Sequence, residues 1–290
     1  MPGIENLGFG CVSLTRHTFL KRAEKILSVA FDNGIMHFDT APVYGNGYSE
    51  KILGGFAKGK REKITIATKC GLGNMGQHKI PVQIALLLNS LKKNFKKNPL
   101  VKYPSRSQMV PYREITLDYV KNSLQNSLKN LQTDYVDYYL LHEALPSFLT
   151  SEAFTFLIEQ KQKGVIRKMG VAAGSVNLNP LEADQLNGFE VLQYENGAGC
   201  QTDYLLEKFT EKTHFYHSVL KSINSVLDPQ SLSEMGGIAL ARAAKINPAG
   251  KVLFSTTSIK RLNENVEGFI KFQASPVEEL NKRIDAFYRS

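Results

Sequence analysis

The chain has 290 residues, of which 42% are hydrophobic, and a formal net charge of +9, which suits one large domain or two small ones. Its apolar runs are shorter than the roughly 20 residues that cross a bilayer, and its start lacks a secretory pattern. Its three cysteines have neither metal nor disulfide spacing. We therefore expect a cytoplasmic protein with no membrane or metal partner. The basic residues are mostly dispersed among acids, with KKNFKK at 92–97 as the main exception, and this pattern favours a solvated basic face over a nucleic-acid partner.

Eight apolar runs typical of β-strands alternate with amphipathic stretches along the chain. In order they are LGFGCVS at 7–13, GIMHFD at 34–39, KITIATK at 63–69, YVDYYLLH at 135–142, IRKMGVAA at 166–173, FEVLQYE at 189–195, THFYHSVL at 213–220 and KVLFSTT at 251–257. Many are apolar at consecutive positions, which predicts strands buried on both faces, as in a parallel sheet covered by helices.

Helical patterns lie between these runs. HTFLKRAEKILSVAFDNG at 17–34 has apolar residues at helical spacing and ends at Asn33-Gly34, a good C-terminal stop, and a second helix is predicted to open at Thr116. Eight strands with intervening helices predict a single (β/α)8 TIM barrel over residues 1–290. A doubly wound open sheet is the alternative, although no G-x-G-x-x-G opens the first helix.

Residues 73–115 do not fit the barrel pattern. They form a connection of about 40 residues after the third strand and contain PVQIALLLNSLKKNF, an expected extra helix, followed by three prolines. We interpret this segment as an insertion over or beside the barrel mouth, either as a lid or wall with a basic side or as a peripheral helical hairpin.

Four polar residues follow the predicted strand ends, where barrels of this kind place their chemistry. Asp39 ends the second strand, Tyr44 lies in the Gly-rich loop after it, Lys69 ends the third strand and His142 ends the fourth. An ammonium beside a phenol lowers the phenol's pKa, so Lys69 is expected to make Tyr44 a usable acid while Asp39 keeps Lys69 charged. Tyr44 is then predicted to exchange a proton with a carbonyl or alcohol oxygen that His142 orients.

Each of these residues has an ordinary interpretation when taken alone. A strand-end Asp is often a turn or cap residue, a Tyr in a Gly loop is often a surface ring, and a His after two leucines is often structural. A strand-end Lys is often solvated, or it forms a Schiff base as in an aldolase. The combination favours proton transfer, and the Asp39–Lys69 pairing argues against a neutral Schiff-base lysine.

The stretches FDTAPVYGNGYSEKILG, KITIATK and LQTDYVDYYLLH resemble the motifs of the aldo-keto reductase superfamily, and the resemblance covers residues 6–72 and 116–268. It implies a (β/α)8 barrel that uses NADPH, or less often NADH, to interconvert carbonyls and alcohols. Position by position, it places the family's catalytic tetrad on Asp39, Tyr44, Lys69 and His142.

The same resemblance implies contacts to the nicotinamide end of the cofactor. Ala172 and Ala173 occupy the family's Ser and Asn positions, which is a departure that removes two side-chain contacts and leaves Ser175 or backbone groups as replacements. Gln193 matches a strand-end Gln that contacts the nicotinamide amide. In an ungapped comparison His217 takes the place of the stacking aromatic residue, with Tyr216 one position away.

The stretch FSTTSIKRLNEN at 254–265 resembles the family's phosphate-binding turn between a strand and a helix. The resemblance places Arg261 against an adenosine 2′-phosphate, with Ser255 and Thr256 in the turn, and Glu264 and Asn265 at adenine. An arginine grips phosphate with two parallel hydrogen bonds, so NADP(H) is expected over NAD(H), although Ser255 stands where some members carry a Lys.

The expected function is therefore an NADP(H)-dependent oxidoreductase that acts on an aldehyde, a ketone or a sugar, as a monomer or small homo-oligomer. Two alternatives remain open at this point. One is a cofactor-binding regulatory barrel with little turnover, which the Ala172-Ala173 departure supports, and the other is a Schiff-base aldolase that uses Lys69.

Overall fold

The computed structural model describes residues 3–17, 19–72, 84, 86, 114–197, 202–221, 223 and 229–289. Eight parallel strands close into a barrel in chain order, because the first strand pairs with both the second and the eighth. They are β1 Leu7–Gly10, β2 His37–Asp39, β3 Thr65–Cys70, β4 Val136–His142, β5 Ile166–Ala172, β6 Val191–Glu195, β7 Thr213–His217 and β8 Lys251–Phe254. The predicted (β/α)8 barrel is confirmed.

Nine α-helices accompany the strands in the described part of the chain. They are α1 Leu20–Asp32, α2 Tyr48–Ala57, α3 Leu117–Leu131, α4 Ser151–Gln162, α5 Ser175–Leu178, α6 Tyr204–Lys208, α7 Pro229–Ile246, α8 Ile259–Phe272 and α9 Val277–Arg289. Short 3-10 helices lie at Ile4–Asn6, Cys11–Arg16, Arg61–Lys63, Pro146–Phe148 and Ala183–Leu186.

The helix boundaries follow local sequence signals. Helix α1 buries Ala23, Ile26 and Leu27 on one face, at the spacing of an amphipathic helix. It ends where Gly34 adopts a φ of 86°, the left-handed conformation that favours glycine after a helix. Helix α3 begins after Thr116, whose side chain accepts a hydrogen bond from the Tyr119 backbone N–H at 3.4 Å.

Three strands end three residues before the end of the apolar runs that predict them. β1 ends at Gly10 and is followed by the 3-10 helix Cys11–Arg16, β7 ends at His217, and β8 ends at Phe254. The remaining residues of those runs lie in the loops at the C-terminal rim of the barrel, which is where a (β/α)8 barrel presents its functional side chains.

The hydrophobic core has two parts. A small cluster inside the barrel contains Leu140, Ala172, Val191 and Phe215, with Tyr138 packed against it. A much larger cluster fills the space between the sheet and the surrounding helices. Since neighbouring strand residues point to opposite faces, strands β4 to β7 contribute to both clusters, and this alternation decides which residues reach the barrel mouth.

The predicted insertion at 73–115 lies outside the described residues, except for Ile84, Leu86, Glu114 and Ile115. Among the helices that are described, none combines the length and the hydrophobicity that a membrane crossing requires.

Candidate active site

Asp39 and Lys69 form a buried ion pair at the mouth of the barrel. Parallel pairing of β2 with β3 sets the end of β2 beside β3, with Asp39 opposite Ala67. The Lys69 Nζ atom donates to both carboxylate oxygens of Asp39, at 2.6 and 2.7 Å, and to the Thr40 carbonyl oxygen at 3.0 Å. Only 2% of Lys69 and 3% of Asp39 are exposed, so the pair is shielded from water.

Lys69 is held in its charged form. Burial by itself lowers the pKa of Lys69, but the negative charge of Asp39 and the hydrogen bond to Asp39 together raise that pKa above its ordinary value. A lysine in this state is an ammonium at neutral pH. It is therefore a poor nucleophile for a carbonyl, because Schiff-base formation requires the neutral amine.

Tyr44 lies in the loop that joins β2 to α2, and the centre of its ring is 5.5 Å from Lys69 Nζ. The loop turns sharply because Gly45, Asn46 and Gly47 all have positive φ angles. A Cβ atom on Gly45 would overlap the Thr15 side chain, so glycine is required there by space as well as by conformation.

His142 is the last residue of β4 and faces Tyr44. The two ring centres are 5.9 Å apart and the rings are perpendicular. The chain turns at once after His142, because Glu143 adopts a φ of 51° and its backbone N–H donates to the Ala172 carbonyl oxygen at 2.7 Å. Non-glycine residues with positive φ are uncommon and are found at functional sites when the surrounding structure holds them.

The structure thus brings together Asp39, Tyr44, Lys69 and His142, the four residues selected from the sequence. A fifth residue, Gln193 of β6, joins them, since its side-chain Nε2 donates to Asp39 Oδ2 at 3.0 Å. A carboxylate only accepts hydrogen bonds, so this contact fixes which end of the Gln193 amide faces Asp39. The sequence had suggested Gln193 as a cofactor contact and gave no indication of its bond to Asp39.

The other end of the Gln193 amide supplies an acceptor suited to a bound carboxamide. The Oε1 atom is buried and has no hydrogen-bond partner among the described residues. A buried acceptor without a partner is costly, and an N–H group of a nicotinamide carboxamide would satisfy it. The residues present at β6 therefore fit a nicotinamide cofactor at this point.

The end of β5 offers less to such a carboxamide. Ala172 belongs to the cluster inside the barrel and Ala173 to the cluster outside it, and neither side chain can donate a hydrogen bond. The Ser175 hydroxyl donates to Glu195 Oε1 at 2.7 Å, and the Ser175 backbone N–H reaches the same carboxylate at 3.2 Å. Ser175 is thus engaged with Glu195.

The end of β7 distinguishes between the two candidates for stacking. Tyr216 is fully buried, and its ring lies 5.3 Å from that of Tyr194 in the outer cluster, where burial raises the pKa of Tyr216 to about 12. His217 is the final residue of β7 and is only partly buried. Its Nδ1 lies 2.9 Å from Ser218 Oγ. Of the two residues, His217 is the one at the rim.

The turn after β8 leads directly into α8. Thr256 Oγ1 accepts from the Ser258 backbone N–H at 3.1 Å, and Ser258 Oγ accepts from the Arg261 backbone N–H at 3.3 Å. The first turn of α8 contains no acidic residue, and the side chains of Ser255 and Arg261 are exposed. A helix N-terminus with exposed cations and no acid is suited to a phosphate.

The two candidate adenine contacts differ in exposure. Glu264 is partly buried, and its Oε1 lies 3.7 Å from Lys260 Nζ. Asn265 is buried, and its Oδ1 lies against Gly236 of α7. Glu264 is therefore the more accessible of the two.

Four further residues next to the tetrad received no role from the sequence, namely Thr40, Ser49, Glu50 and Thr68. All four are fully buried and hydrogen-bonded to one another in pairs: Thr40 Oγ1 donates to Ser49 Oγ, and Thr68 Oγ1 donates to Glu50 Oε1. The sequence places Thr40 and Thr68 next to predicted catalytic residues, which could have indicated a role for them. No local sequence pattern indicates that they bond to Ser49 and Glu50.

In the described part of the chain, no group of three or more His, Cys, Asp or Glu residues is placed to hold a metal ion.

Comparison with known proteins relates the chain to one family. A family model described as the aldo/keto reductase family matches residues 6–186, which is more than half of the chain. The aldo-keto reductase YhdN of Bacillus subtilis is 32% identical over 158 residues, covering 54% of this chain and 38% of that protein. The NADH-specific methylglyoxal reductase of Escherichia coli is 30% identical over 165 residues, covering 56% and 41%.

The matched segments thus span about two fifths of the length of these relatives. Among solved structures, the holo form of the aldo-keto reductase AKR11C1 from Bacillus halodurans aligns with a TM-score of 0.68 over 97% of this chain and 91% of that one, at 22% sequence identity. At that sequence identity, the comparison shows that the two chains share a fold.

Proposed function

The chain belongs to the aldo/keto reductase family, and from this premise we propose that it is an NADP(H)-dependent oxidoreductase that interconverts a carbonyl and its alcohol, with Tyr44 as the general acid. The observation that carries the proposal is the position of the Lys69 ammonium, which is bonded to Asp39 and lies 5.5 Å from the centre of the Tyr44 ring. A buried positive charge at this place stabilises a phenolate that would otherwise be costly to form.

In the reductive direction, Tyr44 donates its hydroxyl proton to the carbonyl oxygen of the substrate. When bound, NADPH would supply the hydride that the carbonyl carbon receives. The phenolate left on Tyr44 is stabilised by the Lys69 ammonium, and Asp39 keeps that ammonium charged and in place. Tyr44 then regains a proton from solvent, so one hydride and one proton are added to the substrate in each cycle.

His142 orients the substrate. Its ring lies perpendicular to that of Tyr44 at 5.9 Å, so a carbonyl oxygen beside the Tyr44 hydroxyl is also within reach of the imidazole. Two groups on one oxygen restrict the approach of the substrate, which is the usual source of orientation effects in catalysis.

Gln193 would hold the nicotinamide carboxamide through its unpartnered Oε1 acceptor, while its Nε2 stays bonded to Asp39. His217, at the rim after β7, would stack on the nicotinamide ring. With alanines at 172 and 173, the other hydrogen bonds to the carboxamide are left to backbone groups at the end of β5.

At the other end of the cofactor, the turn containing Ser255 and Thr256 and the N-terminus of α8 would bind phosphate. The exposed Arg261 guanidinium favours NADP(H) over NAD(H), because it can hold a 2′-phosphate that NAD(H) lacks. Glu264 and Asn265 would lie towards adenine. One relative is named as NADH-specific, so the coenzyme preference is a property to be measured for this chain.

The substrate that we propose is a small aldehyde, ketone or sugar. The chain would act as a monomer or small homo-oligomer in the reducing cytoplasm, where the buried thiols of Cys11 and Cys70 remain free.

A second candidate is a regulatory barrel that binds the cofactor but has little turnover. It is favoured by one observation, the lack of donor side chains at Ala172 and Ala173 together with the engagement of Ser175 by Glu195. The complete tetrad favours catalysis.

Titration of the purified chain with NADPH and NADH, followed by fluorescence, measures binding separately from turnover. A panel of aldehydes, ketones and aldoses is then followed at the nicotinamide absorbance band, with Tyr44→Phe as the control. We expect saturable NADPH binding and turnover that Tyr44→Phe lowers by at least about 100-fold. Tight binding without turnover on any carbonyl would support the regulatory barrel, and no binding of either coenzyme would overturn both functions.

A further inference from the structure

Thr40 and Thr68, which are sequence neighbours of Asp39 and Lys69, point away from the barrel mouth and contact helix α2. Thr40 follows Asp39 and Thr68 precedes Lys69, so strand alternation directs them to the opposite face. Thr40 Oγ1 donates to Ser49 Oγ at 3.0 Å, and Thr68 Oγ1 donates to Glu50 Oε1 at 2.7 Å. Each member of the buried ion pair is thus adjacent in sequence to a threonine that is bonded to α2.

Ser49 and Glu50 lie in the first turn of α2, which begins directly after the loop that carries Tyr44. The Ser49 backbone N–H donates to the Tyr44 carbonyl oxygen at 3.3 Å, and the Ser49 hydroxyl donates to the Cys11 carbonyl oxygen at 2.9 Å. Glu50 Oε2 accepts from Asn130 Nδ2 of α3 at 3.1 Å. The first turn of α2 is therefore hydrogen-bonded to the loops after β1 and β2, to strand β3 and to helix α3.

We propose that Ser49 and Glu50, through Thr40 and Thr68, are positioning residues that set the Tyr44 hydroxyl against the Lys69 ammonium. The inference rests on the proposed function, because it concerns the geometry of the general acid. Tyr44 is carried by a loop, whereas Asp39 and Lys69 are carried by strands. The loop can hold the Tyr44 hydroxyl at a constant distance from the Lys69 ammonium only when both ends of the loop are fixed. These hydrogen bonds fix the end that leads into α2.

The choice of residues suits positioning better than it suits stability. Glu50 is fully buried, and burial raises its pKa although the bonds from Thr68 and Asn130 act in the opposite direction. A buried carboxyl group contributes little net stability compared with apolar packing of the same volume. Its hydrogen bonds are directional, however, and they fix the orientation of a helix turn in a way that apolar contacts do not.

The test replaces Thr68 with valine, which has the same shape but cannot donate to Glu50, and with serine, which keeps the hydroxyl. We expect Thr68→Val to lower kcat about 10- to 100-fold, the scale of a displacement of roughly 1 Å. The NADPH Kd should change by less than about threefold, since the cofactor contacts are elsewhere. Thr68→Ser should recover most of the lost kcat.

Thr65→Val is the matched control for stability. Thr65 is on the same strand and its hydroxyl lies 2.9 Å from His37 Nδ1, but it is at the opposite end of the barrel. Both valine variants should lower the urea midpoint, and only Thr68→Val should lower kcat. Equal kcat values for the two variants would overturn the positioning role.

A double-mutant cycle separates action through Tyr44 from a general structural effect. In the Tyr44→Phe background, Thr68→Val should cause no further loss of kcat, because the group that it positions is gone. Losses that multiply in the double variant would overturn the inference.

A readout that does not need turnover distinguishes this inference from the proposed function. Tyrosine labelled with carbon-13 at Cζ, the ring carbon that carries the hydroxyl, reports ionisation by NMR. The signal that is absent from the spectrum of Tyr44→Phe identifies Tyr44. We expect Thr68→Val to move the ionisation midpoint of Tyr44 to higher pH, and Thr68→Ser to leave it in place. An unmoved midpoint overturns the positioning role whether or not the chain reduces carbonyls, whereas a moved midpoint in a chain that binds no nicotinamide coenzyme overturns only the proposed function.

Discussion

Gln193 donates a hydrogen bond from Nε2 to Asp39 Oδ2 at 3.0 Å, and the same oxygen accepts from Lys69 at 2.7 Å. One carboxylate therefore joins Lys69, which we propose stabilises the general acid Tyr44, to Gln193, which we propose holds the nicotinamide carboxamide. The two halves of the proposed site are therefore connected by direct contacts.

Tyr44→Phe should leave the NADPH Kd nearly unchanged and lower kcat by at least about 100-fold, because general acid catalysis contributes on that scale. The change removes the proton and keeps the ring that packs near His142. Stopped-flow or steady-state measurement at the nicotinamide absorbance band checks it. Near-normal turnover by the variant would show that Tyr44 is not the acid.

Asp39→Asn should destabilise the fold as well as the reaction. The substitution leaves the Lys69 ammonium buried without a counter-charge, and breaking a buried pair in this way costs roughly 3–5 kcal/mol. Urea unfolding measures the loss. The double variant Asp39→Asn/Lys69→Met should be more stable than Asp39→Asn alone because no unpaired charge remains, and an equal or lower stability would contradict this account of the pair.

Arg261→Ala should weaken NADPH about 10- to 100-fold and leave the NADH Kd within about twofold, because a hydrogen bond between charged groups is worth roughly 1.5–3 kcal/mol. Fluorescence titration with both coenzymes checks the difference. Lys271→Ala, an exposed cation in the last turn of the same helix, is the control and should affect neither coenzyme. Equal weakening of both by Arg261→Ala would remove the 2′-phosphate assignment.

Stability should fall in mild acid because two buried histidines are kept neutral. Burial lowers the pKa of His37 well below its ordinary value, with the charges of Lys251 and Lys69 adding to the effect, and burial also lowers the pKa of His214. Their folded pKa values lie below the unfolded value of about 6.5, so the unfolded chain binds more protons as pH falls below that value. The stability contributed above about pH 6.5 is therefore lost as pH falls through the folded pKa values.

The free energy of unfolding should drop by up to about 1.4 kcal/mol per pH unit for each histidine, measured in urea between about pH 7.5 and pH 5. The raised pKa of Glu50 acts in the opposite sense, since it favours the folded state at low pH and that contribution is lost as pH rises through its folded value. His37→Gln should reduce the slope between pH 6.5 and 5. A free energy that is flat over this range would show that neither histidine is held neutral.

The sequence by itself was sufficient for the fold class and for selecting Asp39, Tyr44, Lys69 and His142, which the structure brings together. Alternating strand and helix patterns predicted eight strands, and the eight strands are present. Asp39, Lys69 and His142 could be selected because a polar residue that ends an apolar run is a local feature, and in a parallel barrel all such ends meet at one rim. Tyr44 could be selected because glycines mark the turn that carries it.

The tertiary structure alone decided which polar side chains are partners. Gln193 and Asp39 are far apart in the chain and meet only because the barrel closes, which no local pattern encodes. The choice of His217 over Tyr216 at the rim followed from the position at which β7 ends. The pairing of Thr68 with Glu50 followed from the placement of the first turn of α2 beside β3. Periodicity and turn chemistry are properties of short segments, whereas a hydrogen bond between distant residues depends on strand register and helix packing together.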